Sequence, residues 1–202
     1  IIAIRSRNGY GVLMTNYTVL LDACVMYPAP LRSYLMYLAN TGLFRARWSN
    51  QIHDEWITNL LVNNPTLTAE RLIRTRDLMN AHVPDCLVEG YEPLICGLKL
   101  PDPNDRHVLA AAIKGQAQAI ITFNLKDFPQ KYLNSFDISA IHPDEFLSDM
   151  FELNPSSCIK AAQQHRQSLK NPPMTVETFL GCLQKQKLPQ FISHLRAFQI
   201  LL

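Results

Sequence analysis

The sequence predicts an α/β protein with a mostly parallel sheet covered on both faces, followed by a helical C-terminal extension. Three observations carry that expectation. Short apolar, β-branched runs alternate with stretches of helical spacing from Tyr17 to Met150. Those strand-like runs are apolar throughout, as strands buried on both faces must be. From Asn154 onward only helical spacing remains.

Taken in order, Tyr17-Thr-Val-Leu-Leu21 is the first strand, stopped by Asp22. Pro28 and Pro30 stand where a helix starts, since a proline in the first turn forfeits no hydrogen bond. Leu31, Tyr34, Leu35 and Leu38 give that helix an apolar face up to Gly42. Ser49 is placed to cap a second helix striped by Ile52, Trp56 and Leu60, which ends at Asn63-Asn64-Pro65. Thr68 is placed to cap a third, running through Leu72 and Met79. Cys86-Leu-Val88 is a further short strand. After the loop Leu100-Pro-Asp-Pro-Asn104, a helix opens at Asp105 and carries Val108, Leu109, Ala112 and Ile113. Ala119-Ile-Ile-Thr122 and Asp137-Ile-Ser-Ala-Ile141 complete the strands, and a helix follows over 143–150. The tail is broken at Asn171-Pro-Pro173 and Leu188-Pro189, which makes two or three helices. The expected organisation is an appended or upstream segment over 1–13, an α/β domain over 14–150 and a helical extension over 151–202. Met14, directly before the first strand, is the expected native start.

A chain of 202 residues buries one sizeable core plus a small appendage. With 48% hydrophobic and 18% charged residues it has the composition of an ordinary globular protein. No apolar run reaches the roughly 18 residues needed to span a bilayer, and Arg5, Arg7 and Asn8 interrupt any signal-peptide pattern. Membrane partners and secretion are therefore not expected. Cys24, Cys86, Cys96, Cys158 and Cys182 are odd in number and scattered, without a C-x-x-C pair. That usage points to reduced thiols and a cytoplasmic location, not to a disulfide scaffold or zinc knuckle.

A net charge of +2 does not by itself designate a nucleic-acid partner. Its distribution says more. Asp102, Asp105 and Asp127 gather near the middle, flanked by Arg71, Arg74 and Arg76 and by the tail residues Lys160, Arg166, Lys170, Lys185, Lys187 and Arg196. An acidic centre with basic flanks suits an enzyme that holds cations in its site and phosphates around it. Solvated helix faces account equally well for any one basic cluster.

In parallel sheets, function collects at the carboxyl ends of the strands. Asp22 stands just past the first strand, and Asn124 and Asp127 stand just past Thr122. Asp105 opens the helix that leads into that strand, and Glu55 lies one turn beyond Ile52, at the edge of a buried face. Phosphodiester hydrolysis wants such a cluster. Mg2+ and Mn2+ are hard cations that prefer carboxylate oxygens, and two of them roughly 4 Å apart activate the attacking water and stabilise the leaving oxygen. Each residue also has a plain structural job open to it. Asp22 can end a strand in a turn, Asp102 or Asp105 can cap a helix, Glu55 can be solvated beside Asp54, and Asn124 and Asp127 can form a loop. Spacing alone does not show that these carboxylates meet.

At these residues the chain resembles the PIN-domain family, specifically the bacterial PIN proteins related to VapC-type toxins. The resemblance rests on Val19-Leu-Leu-Asp-Ala23, Trp48-Ser-Asn-Gln-Ile-His-Asp-Glu-Trp56, Leu100-Pro-Asp-Pro-Asn-Asp-Arg-His-Val-Leu-Ala-Ala-Ala112 and Ala119-Ile-Ile-Thr-Phe-Asn-Leu-Lys-Asp-Phe-Pro129, in family order over about residues 17–150. It implies a three-layer α/β/α fold and RNA cleavage by metal-activated water, with Mg2+ or Mn2+ as cofactor. By position it assigns Asp22 as the first acid, Glu55 as the helical Glu and Asp105 as the third acid. The fourth position usually holds Asp or Asn. Here it is Asn124, a departure that loosens a second metal unless Asp127 supplies the charge. Asp102 and Thr122 are accessory candidates, Thr122 as a hydroxyl that faces the site. Arg106 and His107 are placed to touch phosphate, although a solvated helix N-terminus is the expected setting for both.

The resemblance further implies an RNA substrate, tRNA among the candidates, a cognate antitoxin that fills the acidic groove, and a homodimer. The tail is placed to clamp substrate RNA with its basic residues, to pair with a second subunit or to bind a partner, and its stripe of Phe191, Leu195 and Phe198 is equally open to covering the domain's own core. His53-Asp-Glu55 lacks the second histidine of H-E-x-x-H zinc chemistry, and neither a P-loop nor G-x-S-x-G is present. Two other functions stay open: a PIN nuclease in RNA or DNA processing without a toxin role, and a PIN-like nucleic-acid-binding module that has lost catalysis.

Overall fold

Four short strands form one all-parallel sheet in the order β2-β1-β3-β4 in the computed structural model, which describes residues 17–202. The expected segment 1–13 and the start at Met14 lie outside the described residues. Strand β1 (Thr18–Leu21) runs through a one-turn helix α1 (Ala23–Met26) into α2 (Ala29–Ala39), β2 (Arg45–Arg47), α3 (Asn50–Asn63) and α4 (Ala69–His82). A short α5 (Glu92–Ile95), α6 (Arg106–Lys114), β3 (Ala119–Ile121), α7 (Gln130–Leu133) and β4 (Ser139–Ile141) complete the α/β body. Helices α8 (Pro143–Leu153), α9 (Pro155–Ser168), α10 (Val176–Gln184) and α11 (Pro189–Ala197) follow.

Every residue of β1 and β3 is buried. Successive side chains of a strand point to opposite faces, so both faces of the sheet centre lie under helices, as the continuous apolar runs require. Helix α6 packs on β1 and β3. Its buried run Val108-Leu-Ala-Ala-Ala112 lets its backbone approach closely. At its end Gly115 completes the fit, since a Cβ there would stand 2.9 Å from Val88 Cγ2.

The cap residues do what their chemistry predicts. Ser49 Oγ accepts from Ile52 N at 3.2 Å, and Thr68 caps α4 by accepting from Arg71 N. Two strand expectations change. β2 has only Ala46 as an apolar residue and is held by backbone pairing to β1, so side-chain periodicity carries no trace of it. Its flanking arginines suit an edge strand, where charge discourages further pairing. Cys86-Leu-Val88 is a single parallel bridge between Trp48 and Leu87, made by Trp48 N to Cys86 O and Val88 N to Trp48 O.

The extension covers the body's own core. Helix α2 packs against α9 and α10. Its fully buried Tyr34 donates to the Cys158 carbonyl at 3.1 Å and meets the Phe191 ring at 5.1 Å. Phe191 and Leu195 are buried, whereas Phe198 remains partly exposed. All five cysteines are free thiols. No helix among the described residues is long and apolar enough to cross a membrane.

Candidate active site

The chain leaves β1 for β2 on one side and later returns to β3 on the other. The crevice beyond the carboxyl ends of β1 and β3 is therefore the topological switch point, where parallel sheets place their ligands. Asp22 and Thr122 stand at its two lips. Asp22 N bonds to Ile121 O, Thr122 N bonds to Ile141 O, and the Thr122 hydroxyl donates to Asp22 Oδ2 at 2.7 Å. The other Asp22 oxygen, Oδ1, accepts from Ala23 N at 2.6 Å, so Asp22 also caps α1. The Cys24 thiol donates to Asp22 Oδ2 at 3.0 Å and accepts from Phe123 N at 3.3 Å. The two strand ends are thereby stitched together around one carboxylate.

Burial pushes the Asp22 carboxyl up from its ordinary value. The bonds from Cys24, Thr122 and Ala23 partly offset that, and the Glu55 charge adds to it. The Cys24 thiol is pushed up to about 12 by its own burial and by the neighbouring Asp22 charge, so at neutral pH it is a hydrogen-bond donor and not a thiolate.

Asp105 caps nothing with its side chain, although it occupies the N-cap position of α6. Its carboxyl is pushed up to about 6, first by desolvation and then by the charges of Asp22, Asp102, Asp127 and Glu55. Charges act this way only at short range, so acids far apart in sequence share one field here. Asp102 has a structural duty as well, because its Oδ1 accepts from Asn104 N at 2.8 Å.

Asn124 is exposed, and its backbone N–H donates to the Thr122 hydroxyl at 3.0 Å. Its side chain makes no capping bond. Asp127 lies one turn further along the same loop. Arg106 Nε is tied to Pro103 O at 2.9 Å.

Glu55 reaches the cluster from α3, whose rotation is fixed by a buried network. Trp56 Nε1 donates to His53 Nδ1, and both His53 Nε2 and Trp48 Nε1 meet Asn80 Oδ1. His53 is thus spent on packing, and burial holds its imidazole below the usual histidine value.

Sequence reasoning missed two residues. Cys24 was grouped with scattered thiols, yet it sits two residues after Asp22 and its thiol donates to that carboxylate. His107 was expected in solvent, but it is buried and its Nε2 lies 2.6 Å from Glu55 Oε1. The available signal was the apolar run that follows His107, which marks a helix buried nearly all round from its first turn.

Among the described residues no three His, Cys, Asp or Glu side chains already stand close enough to clasp an ion. The acids are near enough to act on one another's ionisation. Their donor set, hard oxygens only, with burial working against their own ionisation, fits Mg2+ or Mn2+. A groove of about 650 Å³ lies elsewhere, between the end of α2 and α9; its lining includes Tyr37, Lys160 and Lys170 and no carboxylate, so it is not the cation site.

Comparison with known proteins agrees with this geometry. A PIN-domain family model matches residues 18–126, and a model described as the VapC50 C-terminal domain matches residues 143–197. A Mycobacterium tuberculosis protein named "Putative ribonuclease VapC50" is 37% identical over 107 residues, which are 53% of this chain and 62% of that protein. The chain thus aligns with less than two thirds of that relative's length. No solved structure matches. With more than half of its residues matched by the PIN model and its tail by the second, the chain belongs to the PIN-domain family, as a VapC-type member with a helical C-terminal extension.

Proposed function

We propose that this chain is a divalent-metal-dependent endoribonuclease, acting as the toxin of a type II toxin–antitoxin pair in the cytoplasm. The observation that carries the reading is Asp22 held by Thr122 and Cys24 at the switch point of the sheet, with Glu55, Asp102, Asp105 and Asp127 around it. Its family membership and the ribonuclease name of its relative support it. Residues 14–150 are the nuclease domain in this reading and 151–202 its extension. A homodimer and an antitoxin that fills the acidic crevice complete the picture.

Asp22, Glu55 and Asp105 are the residues that would hold Mg2+ or Mn2+, joined by Asp127 or Asn124. A divalent cation there supplies water activation and neutralises charge on the phosphodiester. The chain's own residues do the rest. Thr122 and Cys24 orient Asp22 through their hydrogen bonds. Arg106, at the start of α6 beside Asp105, is proposed as a cation for a substrate phosphate. RNA is the proposed substrate, with tRNA the first to test.

The direct test is cleavage of total RNA and of a tRNA pool by the full chain, free of antitoxin, with Mg2+, Mn2+ or EDTA. Cutting should require the metal and should fall roughly 100-fold or more in Asp22→Asn, several kcal/mol of charge stabilisation being lost. The fold should survive, because the new amide still caps Ala23 N. Equal cutting by Asp22→Asn would sink the assignment, and silence of the wild type in every metal would favour a binding module instead.

A further inference from the structure

His107 is buried, yet among the described residues it has one hydrogen-bond partner, Glu55 Oε1 at 2.6 Å, and its Nδ1 has none. A buried nitrogen left bare costs on the order of 1–3 kcal/mol. An apolar side chain of similar size would fill the same buried space without that cost. Glu55 does not need the histidine for its own solvation, since its side chain is 37% exposed and water reaches it. Stability therefore does not account for the pair. What the bond does is restrict a long, flexible carboxylate. Glu55 carries three rotatable bonds on an exposed edge of α3, and ordering such a side chain costs up to roughly 2 kcal/mol. Tying Oε1 to an imidazole locked inside α6 sets its direction in advance, while Oε2 keeps no hydrogen bond to the described residues and stays available. Asp105, two residues before His107, feels the Glu55 charge, so the same short stretch of α6 supplies one acid and aims another.

We propose that His107 is the positioning residue of this centre, holding Glu55 in the direction from which its free oxygen meets a divalent cation beside Asp22 and Asp105. The inference rests on the reading of the cluster as a metal centre and does not require that the substrate be RNA. Groups that aim a metal-binding carboxylate without touching the metal typically contribute 10–100-fold to its affinity.

The test is Mn2+ affinity, measured by calorimetry or by the spin resonance of free Mn2+, together with melting temperature, on the full chain. His107→Leu should bind Mn2+ about 10-fold or more weakly and yet melt no lower than the wild type. His107→Gln, whose amide N–H can still donate to Glu55, should return to within about 3-fold of wild-type affinity. In a Glu55→Ala background, His107→Leu should have no further effect on Mn2+, because two residues acting through one bond are not additive. Unchanged Mn2+ affinity in His107→Leu would overturn the proposal. So would additive effects with Glu55→Ala, or a wild type that binds no Mn2+. A wild type that fails to cut RNA while this Mn2+ pattern holds would remove the ribonuclease reading and leave the positioning role standing.

Discussion

Asp105 shows at the scale of one residue how a site costs its fold something. Its carboxylate caps no helix and sits among four other acids with its ionisation pushed up to about 6. The sign of the consequence is fixed. A carboxyl whose folded value is raised binds its proton more readily in the folded state, so it weakens the fold as pH rises through the ordinary carboxylate range and past 6. In EDTA at pH 7–8, Asp105→Asn should raise the melting temperature by roughly 2–4 °C, about 1 kcal/mol for a chain of this size. At pH 4 the gain should vanish, because the wild-type group is then protonated, and saturating Mg2+ should erase it as well. A variant that melts lower than wild type in EDTA at pH 8 would show that Asp105 is a structural residue. Asp22, Glu55 and Asp105 were candidates in the sequence through the PIN-like motifs they sit in, since a strand end, a helix start or the edge of an apolar stripe left each a plain structural job as well. Their convergence was not legible, since it depends on the order in which strands pair. His107 and Cys24 were missed for a related reason: what a polar side chain does next to an apolar run depends on which element lies opposite it.

Helix α11 makes the corresponding point for an element. It has no side-chain cap of its own, and it packs on α8 with Phe191 and Ile192 of its first turn buried. Asp144, in the first turn of α8, is buried, and its two oxygens accept from Gln190 N at 3.1 Å and Phe191 N at 2.9 Å. A carboxylate 46 residues away thus satisfies the amides that a local Ser or Asp would normally serve, and it meets the positive end of the helix dipole. Asp144→Ala should leave those N–H groups bare and cost about 1–3 kcal/mol, a melting temperature lower by roughly 3–10 °C. Asp144→Asn, which keeps one acceptor, should lose less. Equal melting of Asp144→Ala and wild type would show that the amides find another partner. Local signals found α11 through Leu188-Pro189, and they found the capped helices α3 and α4 through Ser49 and Thr68. They could not find a cap supplied from another helix. The same limit hid β2, whose three residues are a strand only because β1 is there to pair with them.

The described residues share one hydrophobic core across the α/β body and its extension, and the buried His165 lies at the seam. It is on α9, with the Tyr37 ring of α2 stacked at 5.6 Å and the Phe179 ring of α10 edge-on at 5.1 Å. Burial drives its imidazole down to about 4, and Nδ1 finds no partner among the described residues. A histidine depressed in the fold stays neutral there while the unfolded chain, with its ordinary value near 6.5, takes up a proton. Its contribution to stability is therefore present in full above about pH 6.5 and drains away as pH falls toward 4, by on the order of 1 kcal/mol per pH unit. Asp22 and Asp105 push the other way, because burial first and neighbouring acids second raise both, and both penalties lift as the groups take up protons. The wild-type profile is thus a contest between seam and site, and its net slope identifies neither. The difference between wild type and His165→Phe does. That variant keeps an aromatic ring between Tyr37 and Phe179 and cannot titrate, so the two should differ little in melting temperature at pH 8. The variant should pull steadily ahead between pH 6.5 and 4. Parallel melting curves across that window would mean that His165 is not held neutral in the fold, and that the extension is not sealed onto the body as tightly as the packing around Tyr34 and Phe191 requires.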